Sequence, residues 1–190
     1  DIVGEPLDVN GLVTTREERE KRIKEALEGA GLTPADDYMY RRPFELSGGQ
    51  RQRAAIAGSL IMKPEFVVAD EPVSMLDASI RTGIVKMMLR ERDKKGVAYL
   101  FITHDLSLAW LISDRIAIMY LGKIMEIGTA DEIVRNPKHP YSRALLDIMP
   151  VPGKILTEKR KILQGETPNA GAVVEGCKFC GRCPEAMEIC

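Results

Sequence analysis

Apolar residues are sparse over the first 43 positions, and where they occur they fall at helical spacing. Ile23, Ala26 and Leu27 form a narrow stripe in a charged segment, the pattern of a helix with most of its surface in water. Thr15 and Glu18 stand at capping-box spacing before that stripe, and Gly31 follows it as a stop. Between Pro34 and Pro43 the chain is irregular, with Asp36, Asp37 and two tyrosines. The texture changes at residue 44. Phe66 to Ala69 is a short apolar run closed by acids, which predicts a strand buried on both faces. Ile80, Ile84, Met87 and Met88 then recur at helical spacing, Ala98 to Ile102 is a second strand-like run, and Leu106 to Ile112 a second helix. Ile116 to Met119 and Ile124 to Ile127 flank Gly122 and read as a strand pair around a turn. Thr129 with Glu132 caps one more short helix. Such alternation predicts an α/β core with a parallel sheet. Beyond Pro137 the chain becomes loop-rich, with Pro140, Pro150, Pro152 and Pro168, and one helix at about Tyr141 to Ile148. Three parts result: residues 1–43 helical, 44–135 an α/β core, and 136–190 an extension that wraps or caps it.

With 190 residues there is room for one domain with a real core and a small appendage. The 45% hydrophobic content, 29% charged content and net charge of −1 are ordinary for a folded domain. They argue against a polyanion-binding surface over the whole molecule, so nucleic acid is not an expected partner. No run approaches the roughly 18 apolar residues a membrane-spanning helix needs. Residues 1–20 lack the basic-then-apolar order of a secretory leader. The chain opens at Asp1, within what reads as ordered sequence, as a fragment or trimmed chain would. All four cysteines fall between Cys177 and Cys190 in the order C-x2-C-x2-C-x6-C, which suits one soft metal centre better than a disulfide scaffold.

Three motifs carry candidate chemistry. Leu46-Ser47-Gly48-Gly49-Gln50 precedes an alanine-rich helical stretch. A serine and two glycines there expose backbone N–H groups at a helix start, where an anion is favoured. A bare Ser-Gly-Gly more often starts a helix and does nothing else. Asp70-Glu71 closes the Phe66 strand. Adjacent carboxylates at a strand's carboxyl end can hold a magnesium ion and orient a water, and ligands of open α/β sheets bind at that edge. Alone, such a pair is commonly a solvated turn. His104 follows the strand ending Phe101-Ile102-Thr103, where it could donate to a transferring phosphate.

The order and spacing are far more specific than any one motif. Leu-Ser-Gly-Gly-Gln, about twenty residues, Asp70-Glu71-Pro72, then Ser74-Met75-Leu76-Asp77, then a strand before His104 resembles the ABC ATPase family over nearly the whole chain. The resemblance implies an ABC ATPase core, its carboxy-terminal half with a helical subdomain, and ATP with Mg2+ as ligand. Ser47, Gly48, Gly49 and Gln50 match the signature loop that meets the γ-phosphate of ATP held by an opposite subunit. Asp70 matches the acid acting on magnesium, Glu71 the carboxylate polarising the attacking water, Asp77 the loop linking the two sites, and His104 the switch histidine. The family's P-loop, G-x-x-x-x-G-K-[ST], does not occur in the chain, nor does the glutamine loop that follows it. Asp1 to Leu7 resembles the segment just after that loop. The chain alone is therefore expected to bind ATP poorly and to be inactive by itself.

Asn136 to Leu146 and Gly176 to Cys190 resemble the tail of oligopeptide, dipeptide and nickel importer ATPases. That branch implies an ATPase subunit driving peptide import from the cytoplasmic face of the membrane. Its partners would be a second, distinct ATPase subunit, transmembrane permease subunits and, indirectly, an extracytoplasmic solute-binding protein. Relatives usually carry cysteines at the positions of Cys177, Cys183 and Cys190, with Cys180 an addition here. Four thiolates make a [4Fe–4S] cluster the leading reading and zinc the alternative, with free or disulfide-bonded thiols left open. His139, between prolines, reads as structural. Phe44 and Gly58-Ser59 depart from residues common in this branch. A non-transport ABC ATPase, or a non-catalytic truncated interaction module, is the alternative function.

Overall fold

A computed structural model describes residues 2–74, 76–149 and 176–190. Residue 75 and the stretch holding Pro150, Pro152 and Pro168 lie outside the described residues, and so does most of the loop-rich segment expected there. The chain forms two compact units, Asp1–His104 and Asp105–Cys190.

The first unit opens with helices α1 (Glu5–Val9), α2 (Arg16–Gly29) and α3 (Asp36–Met39). Thr15 caps α2 by accepting the Glu18 N–H at 3.2 Å, and the chain leaves the helix through Gly31 at φ +75°. Arg19 on α2 clasps Asp8 on α1 through two 2.7 Å hydrogen bonds, the first reason the Asp8 carboxyl lies below its ordinary range. The buried stripe is Ile23 and Leu27, as the pattern predicts. With Leu32 they face Ala54 and Ala55 of α4 (Gly48–Leu60) around an apolar cavity of about 150 Å³.

Strand β1 (Phe66–Asp70) pairs in parallel with β2 (Ala98–Ile102), in register from Phe66–Ala98 to Asp70–Ile102. Helix α5 (Ala78–Lys95) is the crossover between them and ends at Gly96, φ +70°, after a basic last turn. Ile84, Val85, Met87 and Met88 are its buried residues. Burial of β1 on both faces is not met. Phe66 and Val68 are 57% and 56% exposed, and Leu100 and Ile102 of β2 about half exposed, because a two-stranded sheet has one face covered.

The second unit begins with α6 (Leu106–Ile112), followed by β3 (Arg115–Tyr120) and β4 (Lys123–Thr129) paired antiparallel. Leu121 and Gly122 both take positive φ (46° and 76°), the requirement of the tight hairpin turn that matches strand twist. Ile116 and Ile118 of β3 pack on Ala130 and Ile133 of α7 (Ala130–Arg135). Thr129 and Glu132 form the expected capping box of α7. Helix α8 (Pro140–Ile148) starts at His139, whose Nδ1 accepts the Tyr141 N–H, a structural role as expected. Glu126 of β4 accepts the Lys138 and His139 N–H groups at 2.7 and 3.0 Å and so holds the start of α8. Among the described residues no helix is long and apolar enough to cross a membrane.

The cysteine segment closes this unit as a hook. Phe179 is fully buried, its ring 5.3 Å from Tyr120 and 5.1 Å from Tyr141. Lys178 Nζ donates to Leu121 O at 2.8 Å and Arg143 pairs with Glu185 at 2.7 Å. Removing a buried phenylalanine loses transfer energy and leaves a void. Phe179→Ala should therefore lower the unfolding free energy of this unit by about 3–5 kcal/mol, read from urea denaturation.

Candidate active site

Parallel pairing ends β1 and β2 at one edge, and the two best candidate catalytic residues lie just beyond it. Glu71 follows β1 with φ +46°, a left-handed conformation that costs a non-glycine residue roughly 1–2 kcal/mol. Its own backbone holds it there. The Glu71 N–H donates to Ile102 O at 3.0 Å, and both the N–H and the hydroxyl of Ser74 donate to Glu71 O. Its side chain thereby meets His104, with Oε1 2.8 Å from Nδ1 and 3.2 Å from the His104 N–H. The His104 side chain is 77% exposed and that of Glu71 35% exposed, so the pair faces solvent. Asp70 is exposed at the same strand end, opposite Ile102. Nothing in Asp-Glu-Pro announces the kink, since a residue before proline is biased towards extended backbone.

Ser47 is the N-cap of α4. Its Oγ accepts the Gln50 N–H at 3.3 Å while its own N–H donates to Gln50 Oε1 at 2.9 Å. Ser47 and Gln50 thus hold the loop in shape through each other. Gly48 is open to solvent, with no atom within 4 Å of where a Cβ would be. Gly49 is buried, and a Cβ there would lie 2.7 Å from Ile80 Cγ2. Ile80 belongs to the first turn of α5, whose N-cap is Asp77. Asp77 Oδ1 accepts the Ser79 and Ile80 N–H groups at 3.1 and 3.0 Å. The Ile80 bond leads the causes that keep the Asp77 carboxyl below its ordinary range. The structure therefore joins Glu71 to His104, and the Ser47 loop to the start of the Asp77 helix.

Tyr99 was not singled out by sequence. It borders a cavity of about 170 Å³ together with Asp70 and Gln52, and its buried hydroxyl makes no hydrogen bond. A tyrosine inside a strand run carries no signal of this.

Among the described residues no group of three or more His, Cys, Asp or Glu side chains is placed to hold a metal ion. The expected cluster or zinc site therefore has no direct support in the side-chain geometry. All four cysteines are free and half-buried. They are nevertheless neighbours. Cys177 N–H donates to Cys190 O at 2.8 Å, Cys180 N–H to Cys177 O, and Cys183 N–H to Cys180 O. Burial first, and then the charges of Cys190, Cys177 and Cys183, push the Cys180 thiol up. Gly176, at φ +79°, lets the hook close on itself, for a Cβ there would clash with the Cys190 carbonyl oxygen.

Comparison with known proteins bears on the family and the fold. The ABC transporter family model matches residues 3–74, and that of the oligopeptide/dipeptide transporter C-terminal region matches residues 125–190. The dipeptide transport ATP-binding protein DppF of Lactococcus lactis is 50% identical over 84% of this chain and 51% of its own. The oligopeptide transport ATP-binding protein AppF of Bacillus subtilis is 44% identical over 100% of this chain and 57% of its own. The chain belongs to the ABC ATPase family, in its oligopeptide/dipeptide branch. Solved cassettes share the α/β fold. A dimeric ATP-binding cassette in a post-hydrolysis state with ADP and phosphate superposes with TM-score 0.56 at 30% identity, covering 62% of this chain and 50% of that one. The protein cbiO1 from Clostridium perfringens, part of the ABC transporter complex cbiONQ, gives TM-score 0.59 at 27% identity, covering 72% of this chain and 52% of that one. The chain spans about half the length of the curated relatives it matches.

Tyr99 offers a pH test of the first unit. Burial pushes its ionisation up to about 12 from the ordinary value of 10.0. The unfolded chain ionises first, so the contribution of neutral Tyr99 to stability is complete below pH 10 and is lost as pH rises towards 12. Tyr99→Phe should remove the last step of the ultraviolet phenolate titration and flatten that alkaline loss.

Proposed function

We propose that this chain is part of the ATP-hydrolysing subunit of an ABC importer for peptides or related solutes. The observation carrying the reading is Glu71, turned onto His104 at the edge where β1 and β2 end together. Phosphoryl transfer to water needs little covalent chemistry and much positioning, so a carboxylate held by backbone and histidine contacts suits it. Asp70 would hold Mg2+ through water, Glu71 would polarise the attacking water, and His104 would donate towards the γ-phosphate. Ser47, Gly48, Gly49 and Gln50 would face ATP held by an opposite subunit, with Asp77 linking the two sites. The phosphoryl group to be transferred comes from Mg-ATP. The open surroundings of Gly48 at a helix start favour a phosphate there.

The relatives named for oligopeptide and dipeptide transport support the solute class. In this reading the subunit works on the cytoplasmic face of the membrane, paired with a second and distinct ATPase subunit. It drives transmembrane permease subunits that receive solute from an extracytoplasmic binding protein. Residues 1–43 then serve as part of the helical subdomain, 44–135 as the catalytic core and 136–190 as the importer-type extension. Cys177, Cys180, Cys183 and Cys190 are proposed to hold a [4Fe–4S] cluster, with zinc the alternative. Their x2 spacing and mutual proximity support this. Anaerobic purification should yield iron and sulfide in equal amounts. Zinc alone would assign the other metal, and a metal-free folded hook would end both.

The catalytic roles are tested by joining this chain to the P-loop half of the L. lactis dipeptide transport ATP-binding protein. The fused protein should hydrolyse ATP. Glu71→Gln should cut turnover by about 100-fold or more while ATP binding is spared, and an unchanged rate would refute the role of Glu71. The 190-residue chain alone should show no micromolar binding of Mg-ATP by calorimetry.

A further inference from the structure

Helices α4 and α5 touch at two successive turns, and at each turn one partner is a glycine. The first contact is Gly49 against Ile80. The second, one turn on, is Arg53 against Gly83, where a Cβ would lie 2.6 Å from Arg53 Nη2. Glycine in the middle of an 18-residue helix is costly and calls for a reason. Room for the guanidinium is that reason. The opposite side of the same group reaches the end of α2. Arg53 Nη1 donates to Ala30 O at 2.9 Å, and a Cβ at Gly31 would lie 2.6 Å from that nitrogen. Ala30 is the C-cap of α2, whose unpaired carbonyls and negative dipole end favour a cation. One planar fork therefore sits between α2 and α5 while its stem belongs to α4.

We infer that Arg53 is a positioning residue that ties the signature loop to the Asp77 loop. The inference rests on the proposed function, because both loops act only in an assembled ATPase. Gly49 leans on Ile80, Ile80 N–H is bonded to the Asp77 cap, and Arg53 fixes the next turn of both helices against the end of α2. The two loops then move as one body, with α2 as the backing. Lysine cannot replace this arrangement, since a single ammonium cannot span both neighbours as a planar fork does.

Two variants test it. Arg53→Lys removes the fork. Gly83→Ala leaves Arg53 in place but adds a methyl where Nη2 lies, and the flexible side-chain end gives way instead of the backbone. Alanine is the better helix former, so a merely structural role for this contact predicts a firmer α5 and unchanged turnover in Gly83→Ala. The tie predicts the reverse. In hydrogen exchange on the 190-residue chain, both variants should speed the amides of Gln50–Arg51 and Ser79–Ile80 together, by about tenfold, with β2 unchanged. In the fused protein described above both should lower kcat by about 10- to 100-fold and leave KM for ATP unchanged, since misplacement affects the reacting geometry. Faster exchange confined to Ala30–Gly31, or normal kcat in both variants, would overturn the inference. If the fused wild-type protein hydrolyses no ATP, the proposed function has failed, and the exchange measurement still decides the tie alone.

Discussion

Parallel pairing of β1 with β2 is the constraint on which the rest of the first unit depends. In an antiparallel pair the two strands end at opposite edges. In a parallel pair they end at the same one, and a crossover must bring the chain back. Here the register sets Asp70 against Ile102, so Glu71 and His104 leave the sheet side by side although they stand 33 positions apart in the chain. The left-handed backbone at Glu71 then turns its carboxylate sideways to His104 instead of onward from the strand. Strain at that residue is tolerable because Ile102 O and Ser74 fix the peptide on both sides.

The crossover also places the second group of candidate site residues. Because α5 must begin just past β1, its N-cap lies near the sheet edge, and Asp77 is that cap. Its carboxylate is occupied by the Ser79 and Ile80 amides, which makes it a shape-keeping group within its own loop. Ser47 and Gln50 do the same for α4. Capping and ligand contact are compatible uses of one helix start. Side chains satisfy some of the first N–H groups, and Gly48 keeps the approach to others open.

Much of this was legible in the chain itself, for reasons that differ by element. β2, α6 and the hairpin around Gly122 follow the pattern closely because apolar runs, spacing and a glycine turn all act locally. The motif order Ser-Gly-Gly-Gln, Asp-Glu-Pro and a post-strand histidine identified the family and the residues of the edge. Short α1 and α3 were not foreseen, because five and four residues are too few for periodicity to register. The exposed faces of Phe66 and Val68 escaped for another reason. An apolar run reports what a strand can bury, not what lies over it in a given chain. The kink at Glu71, the orphan hydroxyl of Tyr99 and the seat of Arg53 depend on non-local backbone meetings that no spacing encodes.

The cysteine hook shows why proximity of thiols and attachment of the segment are separate matters. What docks the hook is Phe179 among Tyr120, Tyr141 and His139, with Lys178 on Leu121 O and Glu185 on Arg143. Burying one phenylalanine contributes about 1.5–3 kcal/mol, and tilted aromatic neighbours add to it. None of these contacts involves a sulfur atom. The thiols lie on the closing turns instead, where Cys177 N–H meets Cys190 O and Gly176 admits the close approach. Docking of the hook is thus carried by Phe179, Lys178 and Glu185, which alternate along the chain with the cysteines, and not by the thiols themselves.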